Sequence, residues 1–244
     1  MKKLLIALGV FASFGAAQAE VTGNLGLTSD YRYRGISQTQ NAPAVQGGID
    51  YAHSSGFYVG NWNSSVSSQV YTNGAGVESD LYAGYKKEVY EGITVDVGSY
   101  NYFYPRSTTS AKTGSNFDTY EGYAAVGYKD LVTAKYSQTL GAGYFGQANA
   151  KGTKYYQADA KVPTVVVNKL SVVAHAGHTN VSNAGSLNYT DYNAGFAYMF
   201  PQDWEGSLKY YTNTGLTSAA QVANTVSGQK LYRNAVVASV TKTF

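Results

Sequence analysis

From Val21 to the end, apolar and polar side chains alternate with a period of two, and helical periodicity is hard to find after residue 19. The last stretch shows the pattern plainly. Val236, Ala238, Val240 and Phe244 fall on one face, and Val237, Ser239, Thr241 and Thr243 on the other. Successive strand side chains point to opposite sides of a sheet, so this is a strand with one greasy and one mostly polar face. The same reading places strands at Val21–Arg34, Ala44–His53, Phe57–Val66, Val77–Lys86, Ile93–Tyr104 and Phe117–Tyr128. It continues with Leu131–Thr139, Thr153–Val162, Leu170–Thr179, Tyr189–Met199, Trp204–Asn213 and Leu231–Phe244. Most are close to the ~9–11 residues that a tilted membrane-spanning strand needs.

The links between these strands fall into two sets. Ser54-Ser55-Gly56, Glu88–Gly92, Lys129-Asp130, Pro163–Lys169 and Phe200–Asp203 are tight. Gly35–Pro43, Ser67–Gly76, Pro105–Asn116, Leu140–Gly152, Asn180–Asn188 and Thr214–Lys230 are longer and rich in Gly, Asn, Ser and Thr. Short turns on one side alternating with longer loops on the other predict an all-β transmembrane antiparallel barrel of about twelve strands, with short periplasmic turns and longer extracellular loops. An even strand count puts both ends of the barrel domain in the periplasm. No second domain or linker is apparent.

Facing follows from parity. Leu81, Ala83 and Tyr85 oppose Glu78, Asp80, Tyr82 and Lys86, and Ile93, Val95 and Val97 oppose Thr94, Asp96 and Gly98. Tyr192, Ala194, Phe196 and Tyr198 oppose Asp191, Asn193 and Gly195, while Trp204, Leu208 and Tyr210 oppose Glu205, Ser207 and Lys209. A Lys or Arg on the lipid face costs roughly 2–4 kcal/mol at mid-membrane, so the charged face is the lumen. The lumen candidates are then Asp30, Arg32, Arg34, Asp50, Glu78, Asp80, Lys86 and Asp96, with Glu121, Lys135, Asp159, Lys161, Asp191, Glu205, Lys209 and Arg233. Two readings stand for them: a pore lining that selects solutes, or cross-strand ion pairs and hydrogen bonds that fill a narrow barrel. Asp30, Arg32 and Arg34, near the outer end of the first strand, suit a constriction or an anchor for an outer loop.

Composition narrows the class further. Lys2 and Lys3, the apolar run from Leu4 to about Ala17, and Ala17-Gln18-Ala19 have the form of a signal peptide over 1–19, leaving 20–244 as the barrel. No later run approaches the ~18 apolar residues of a membrane helix. With 24 Tyr, 27 Gly, 4 Pro and 14% charged residues, the chain carries far less charge than the ~25% of soluble domains. Tyr suits a membrane interface, and Gly suits closely packed tilted strands. Removing Lys2 and Lys3 from 18 basic residues leaves 16 against 15 acidic ones, which argues against a nucleic-acid partner. With 0 Cys, disulfides and thiolate chemistry are excluded.

Catalytic signatures are weak. His175 and His178 lie three apart in a strand and hence on opposite faces, so they do not pair on a metal, and His53 adjoins a tight turn. No motif places a serine beside a histidine, and no helix follows Gly23-x-x-Gly26 or Gly141-x-Gly143 to make a phosphate loop. Neither a cofactor nor a metal is expected. The aromatic run Tyr100, Tyr102, Phe103 and Tyr104, with Tyr31, Tyr33, Phe196, Tyr198, Trp204, Tyr210 and Phe244, reads as membrane girdle. Tyr82, Tyr100 and Tyr102 face inward by parity and suit stacking on a ring-shaped solute.

One region goes beyond generic barrel patterning. Ser29-Asp30-Tyr31-Arg32-Tyr33-Arg34-Gly35-Ile36-Ser37-Gln38-Thr39 is followed by Pro43-Ala44-Val45-Gln46-Gly47-Gly48-Ile49-Asp50-Tyr51, then by His53-Ser54-Ser55-Gly56-Phe57-Tyr58-Val59-Gly60 and Trp62. This resembles the TorF family of proteobacterial porins over the first two hairpins. The resemblance implies an outer-membrane location in a Gram-negative bacterium and a channel, with no catalytic residues. In many outer-membrane proteins an aromatic also sits two residues before the terminal one; here that position is Lys242. The function expected is passive passage of small hydrophilic solutes. A closed barrel serving as receptor, adhesin or structural protein is the alternative, and a rim-located hydrolase stands further off. The expected partners are outer-membrane lipid and lipopolysaccharide, the barrel assembly machinery, and the solutes.

Overall fold

A strand with one apolar and one polar face must find an environment for each, and closing the sheet on itself provides both. The computed structural model describes residues 19–71, 75–107 and 116–244. Twelve strands form a closed barrel in which neighbours in sequence are neighbours in the wall. They are β1 (Glu20–Thr28), β2 (Ala44–Ala52), β3 (Phe57–Ser65), β4 (Val77–Tyr90), β5 (Ile93–Phe103) and β6 (Thr119–Tyr128). Then come β7 (Val132–Thr139), β8 (Lys154–Pro163), β9 (Leu170–Asn180), β10 (Tyr189–Phe200), β11 (Trp204–Thr214) and β12 (Ala235–Thr243). All pairings are antiparallel, and β12 closes the wall on β1 with Leu27 opposite Val240 and Asn24 opposite Thr243. The terminal Phe244 donates its backbone N–H to the Gly23 carbonyl at 2.9 Å, and its ring is exposed on the outside. The expected signal peptide falls on residues 1–18, outside the described residues, apart from Ala19.

Facing follows the alternation. Leu25, Leu27, Ile49, Val59, Leu81, Phe196 and Leu208 point out, whereas Asp50, Glu78, Asp80, Tyr82, Lys86 and Asp96 are buried inside. The tight links have the expected chemistry. Between β6 and β7 the chain reverses through Lys129 and Asp130, both at positive φ (51° and 55°), the backbone of a two-residue hairpin whose twist matches the strands. The links at the opposite end carry small elements of their own, including helix α1 (Ser218–Ala223), capped by the Thr217 hydroxyl.

Two boundaries differ from the expectation. The first strand, expected to reach Arg34, leaves the wall after Thr28, and the last, expected from Leu231, enters it at Ala235. Outside the wall strand parity no longer holds: Asp30–Arg34 turn into the lumen, and of 231–234 only Leu231 is buried while Arg233 and Asn234 are exposed. Leu231 is buried against Ile36 and Tyr189.

Candidate functional site: the lumen and its inward segment

The residues between β1 and β2 carry no aliphatic side chain from Ser29 to Gly35, so the stretch offers nothing to lipid. It turns into the barrel instead. Asp30 through Thr39 are buried except for Tyr33, which is half-buried. The segment forms a small hairpin, with Arg32 opposite Ser37 and Tyr33 opposite Ile36, turning on Arg34 (φ 47°) and Gly35 (φ 76°). Glycine is needed at the tip, because a Cβ on Gly35 would collide with Asn213 and Asp191 of the wall.

The hairpin is tied across the lumen. Tyr31 donates to Glu78 of β4 at 2.7 Å, and Tyr33 to the Tyr102 hydroxyl of β5 at 2.8 Å. The Arg34 guanidinium grips Glu121 of β6 with two bonds, 3.0 and 2.7 Å, and lies over the ring of Tyr155 of β8 at 4.0 Å. On the far side, the Tyr189 hydroxyl of β10 donates to the Arg34 carbonyl at 2.9 Å and Asn213 of β11 to the Gly35 carbonyl at 3.2 Å. At its base, Arg32 pairs with Asp30 at 2.7 Å and donates to the carbonyl of Arg233, also at 2.7 Å. Burial and the neighbouring Glu78 push the Tyr31 phenol well above its usual pKa, which keeps it a donor. For Arg34, burial disfavours the charge, but the Glu121 carboxylate together with Tyr33, Tyr144 and Tyr102 outweighs it and holds the guanidinium protonated.

Around this hairpin the outer half of the lumen is filled with rings. Tyr31, Tyr71, Tyr102 and Tyr104 are buried together, with Tyr33, Trp62, Phe117 and Phe145 packed on them. Tyr71 and Tyr104 stack at 4.0 Å. This corrects the girdle expectation for Tyr31, Tyr33, Tyr100, Tyr102 and Tyr104, which lie inside. Phe103, Phe196, Trp204, Tyr210 and Phe244 do face outward, Phe103 against Tyr120. Tyr is amphipathic, so it suits a lipid interface and a wet, polar lumen equally, and composition alone does not separate the two. The absence of any aliphatic neighbour in the Ser29–Gly35 stretch was the signal available.

Of the sixteen expected lumen residues, fifteen are brought inside: nine carboxylates and six Lys or Arg side chains. Arg233 is the exception. It precedes β12, its side chain is exposed, and only its carbonyl reaches the inward segment, because strand parity does not extend that far. Several of the fifteen are engaged with one another. Lys161 pairs with Glu205 at 2.5 Å. His175 sits between Asp159 at 2.6 Å and Asp191 at 3.0 Å, with the Tyr155 hydroxyl on the same Asp191. Its partner in spacing, His178, faces out, and among the described residues no group of three or more His, Asp or Glu side chains is placed to hold a metal ion. Asp50 accepts from Tyr82 at 2.5 Å, Asp96 accepts from Tyr58 at 2.7 Å, and Lys135 lies over the Tyr123 ring at 4.1 Å.

Comparison with known proteins agrees with this architecture. Residues 12–244 match the model of a family described as "Bacterial protein of unknown function (Gcw_chp)", and the chain belongs to that family. No curated protein matches it. Among solved structures, the chain is similar to the KdgM porin, solved in complex with disordered oligogalacturonate, at 8% identity and a TM-score of 0.54, covering 93% of this chain and 99% of that one. It is also similar to the NanC porin, at 10% identity and a TM-score of 0.52, covering 91% and 98%. At such identities the likeness establishes the closed twelve-stranded barrel and nothing about solutes.

Proposed function

We propose that this protein is an outer-membrane channel through which small hydrophilic solutes pass without energy input, in a passage narrowed by the hairpin at Arg34-Gly35. The observation that carries the reading is the segregation of side chains: an apolar outer wall around an interior that holds the charges of the middle of the strands, with Glu20, Lys87, Glu88, Lys154 and Lys242 at or near strand ends. Such a wall makes sense in a bilayer, and a lumen rich in charge and hydroxyls makes sense where water and solutes enter. The porin neighbours and the resemblance to the TorF family of the residues around Arg34 support the outer-membrane setting and the channel class. The test is electrical. Pure refolded protein in planar bilayers is expected to give discrete single-channel steps, and an electrically silent protein would sink the reading.

A closed barrel acting as a receptor, adhesin or structural protein is the second reading. The hairpin favours it to a degree, since it bonds to strands on both sides of the lumen. Twelve strands lie between the ~8 that leave room only for side chains and the ~16–18 that leave an open channel. The same recordings separate the two.

A further inference from the structure

We infer that the passage prefers cationic solutes, and that the wall of β2 to β5 sets this preference through Asp50, Glu78 and Asp80. The inference rests on the channel reading and concerns what that same lumen favours.

Charge in the lumen is unevenly placed. On the inward hairpin Asp30 offsets Arg32 and Glu121 offsets Arg34. On the wall of β7 to β11, Lys161 has Glu205, and His175 lies between two aspartates, with Lys135 and Lys209 adding positive charge there. The β2–β5 wall is different. Its inward charges are Asp50, Glu78, Asp80, Asp96 and Lys86, and Lys86 stands opposite Asp96 in the register. Among the described residues, no basic side chain forms an ion pair with Asp50, Glu78 or Asp80.

Asp50 and Glu78 accept from phenols, and Asp80 is hydrogen-bonded to Glu78, a contact between two carboxyl groups that holds one proton. Tyr82 donates to Asp50 at 2.5 Å, and Tyr31 and Tyr104 donate to Glu78 at 2.7 and 2.9 Å. The Asp80 Oδ1 is buried and has no hydrogen-bond partner. A hydroxyl donor stabilises a carboxylate without cancelling its charge, so Asp50 and the Glu78–Asp80 pair, with one charge between its two members, give this wall a negative field that concentrates counter-ions of positive sign. The rings beside it act in the same direction. Tyr82 and Tyr100 stack at 4.9 Å with planes 5° apart, and Tyr102 lies 4.8 Å from Tyr100. Carboxylates flanked by tyrosine faces are the chemistry that receives ammonium groups.

Reversal potentials test this. Under a KCl gradient, the wild-type channel is expected to reverse on the potassium side, with a permeability ratio of potassium over chloride above unity. Replacing chloride by gluconate is expected to change the current little, and replacing potassium by tetramethylammonium is expected to leave current in the same direction. Asp50→Asn and the double variant Glu78→Gln/Asp80→Asn should each move the reversal potential toward zero, while Lys209→Gln should move it away. A conducting wild type that prefers chloride, or neither ion, overturns the inference while leaving the channel reading intact. Unchanged selectivity in both carboxylate variants removes this wall from the role. Absence of conductance brings down both readings together. Should either variant fail to refold, the wild-type ratio still decides the preference, and the remaining variant decides the wall.

Discussion

Arg34 concentrates more interactions than any other residue of the inward hairpin, and its energetics turn on Glu121. Both side chains are almost wholly withdrawn from solvent, with relative exposures of 5% and 2%. Two charge-assisted bonds in fork geometry and the ring of Tyr155 replace the lost hydration. A buried pair of this kind adds little net stability over a well-packed apolar pair, but breaking it leaves a buried charge alone. Arg34→Ala is therefore expected to destabilise the barrel by about 3–5 kcal/mol. The double variant Arg34→Met/Glu121→Met should recover most of that loss. Urea unfolding in detergent micelles, followed by tryptophan fluorescence, measures both.

At the scale of elements, the strands obey the contrast between lipid and lumen closely enough for substitutions to be assigned a sign from parity. Leu208 and Ser207 are consecutive on β11, the first exposed on the outer face and the second turned inward. Leu208→Arg is expected to cost roughly 2–4 kcal/mol, and Ser207→Arg much less, in unfolding from lipid vesicles. The turns are equally readable. Lys129 and Asp130 occupy positive φ that Asn and Gly adopt more readily, so replacing the pair by Asn-Gly should stabilise the hairpin by about 1 kcal/mol. A raised midpoint in the same unfolding assay would show it. This regularity explains why the twelve strands were legible in the sequence: each wall position has lipid on one side and lumen on the other, which is what period two records. The hairpin at Arg34-Gly35 was not legible, because Tyr31 through Thr39, buried apart from the half-buried Tyr33, have no lipid-facing side and so carry no period. Its charges suit a constriction by parity alone, whereas its tyrosines match a rim girdle just as well as a lumen.

For the whole molecule, the hairpin decides how much of the barrel's cross-section is open. Thr28 and Ala44 already face each other across the β1–β2 pair, so a short linker could join them with the wall kept whole. Replacing 30–42 by a few glycine and serine residues is expected to raise unit conductance severalfold while preserving the strand content seen by circular dichroism. An unaltered conductance in the folded variant would mean that the narrowest part of the passage lies elsewhere.

The seam between β1 and β12 carries a further consequence, for how this wall comes into being. Leu27 and Val240, which meet there, come from opposite ends of the chain, so closure needs nearly the entire sequence to be present. Until it happens, both strands present open edges with unpaired backbone groups, which in water invite pairing with other chains and in hydrocarbon are barred. Assembly dominated by so distant a contact is slow. A chain ending before Ala235 would keep eleven strands, yet it would lose the property that makes the wall viable. Synthesis to the last strand, more than the strength of any single hairpin, is what commits this protein to its final form.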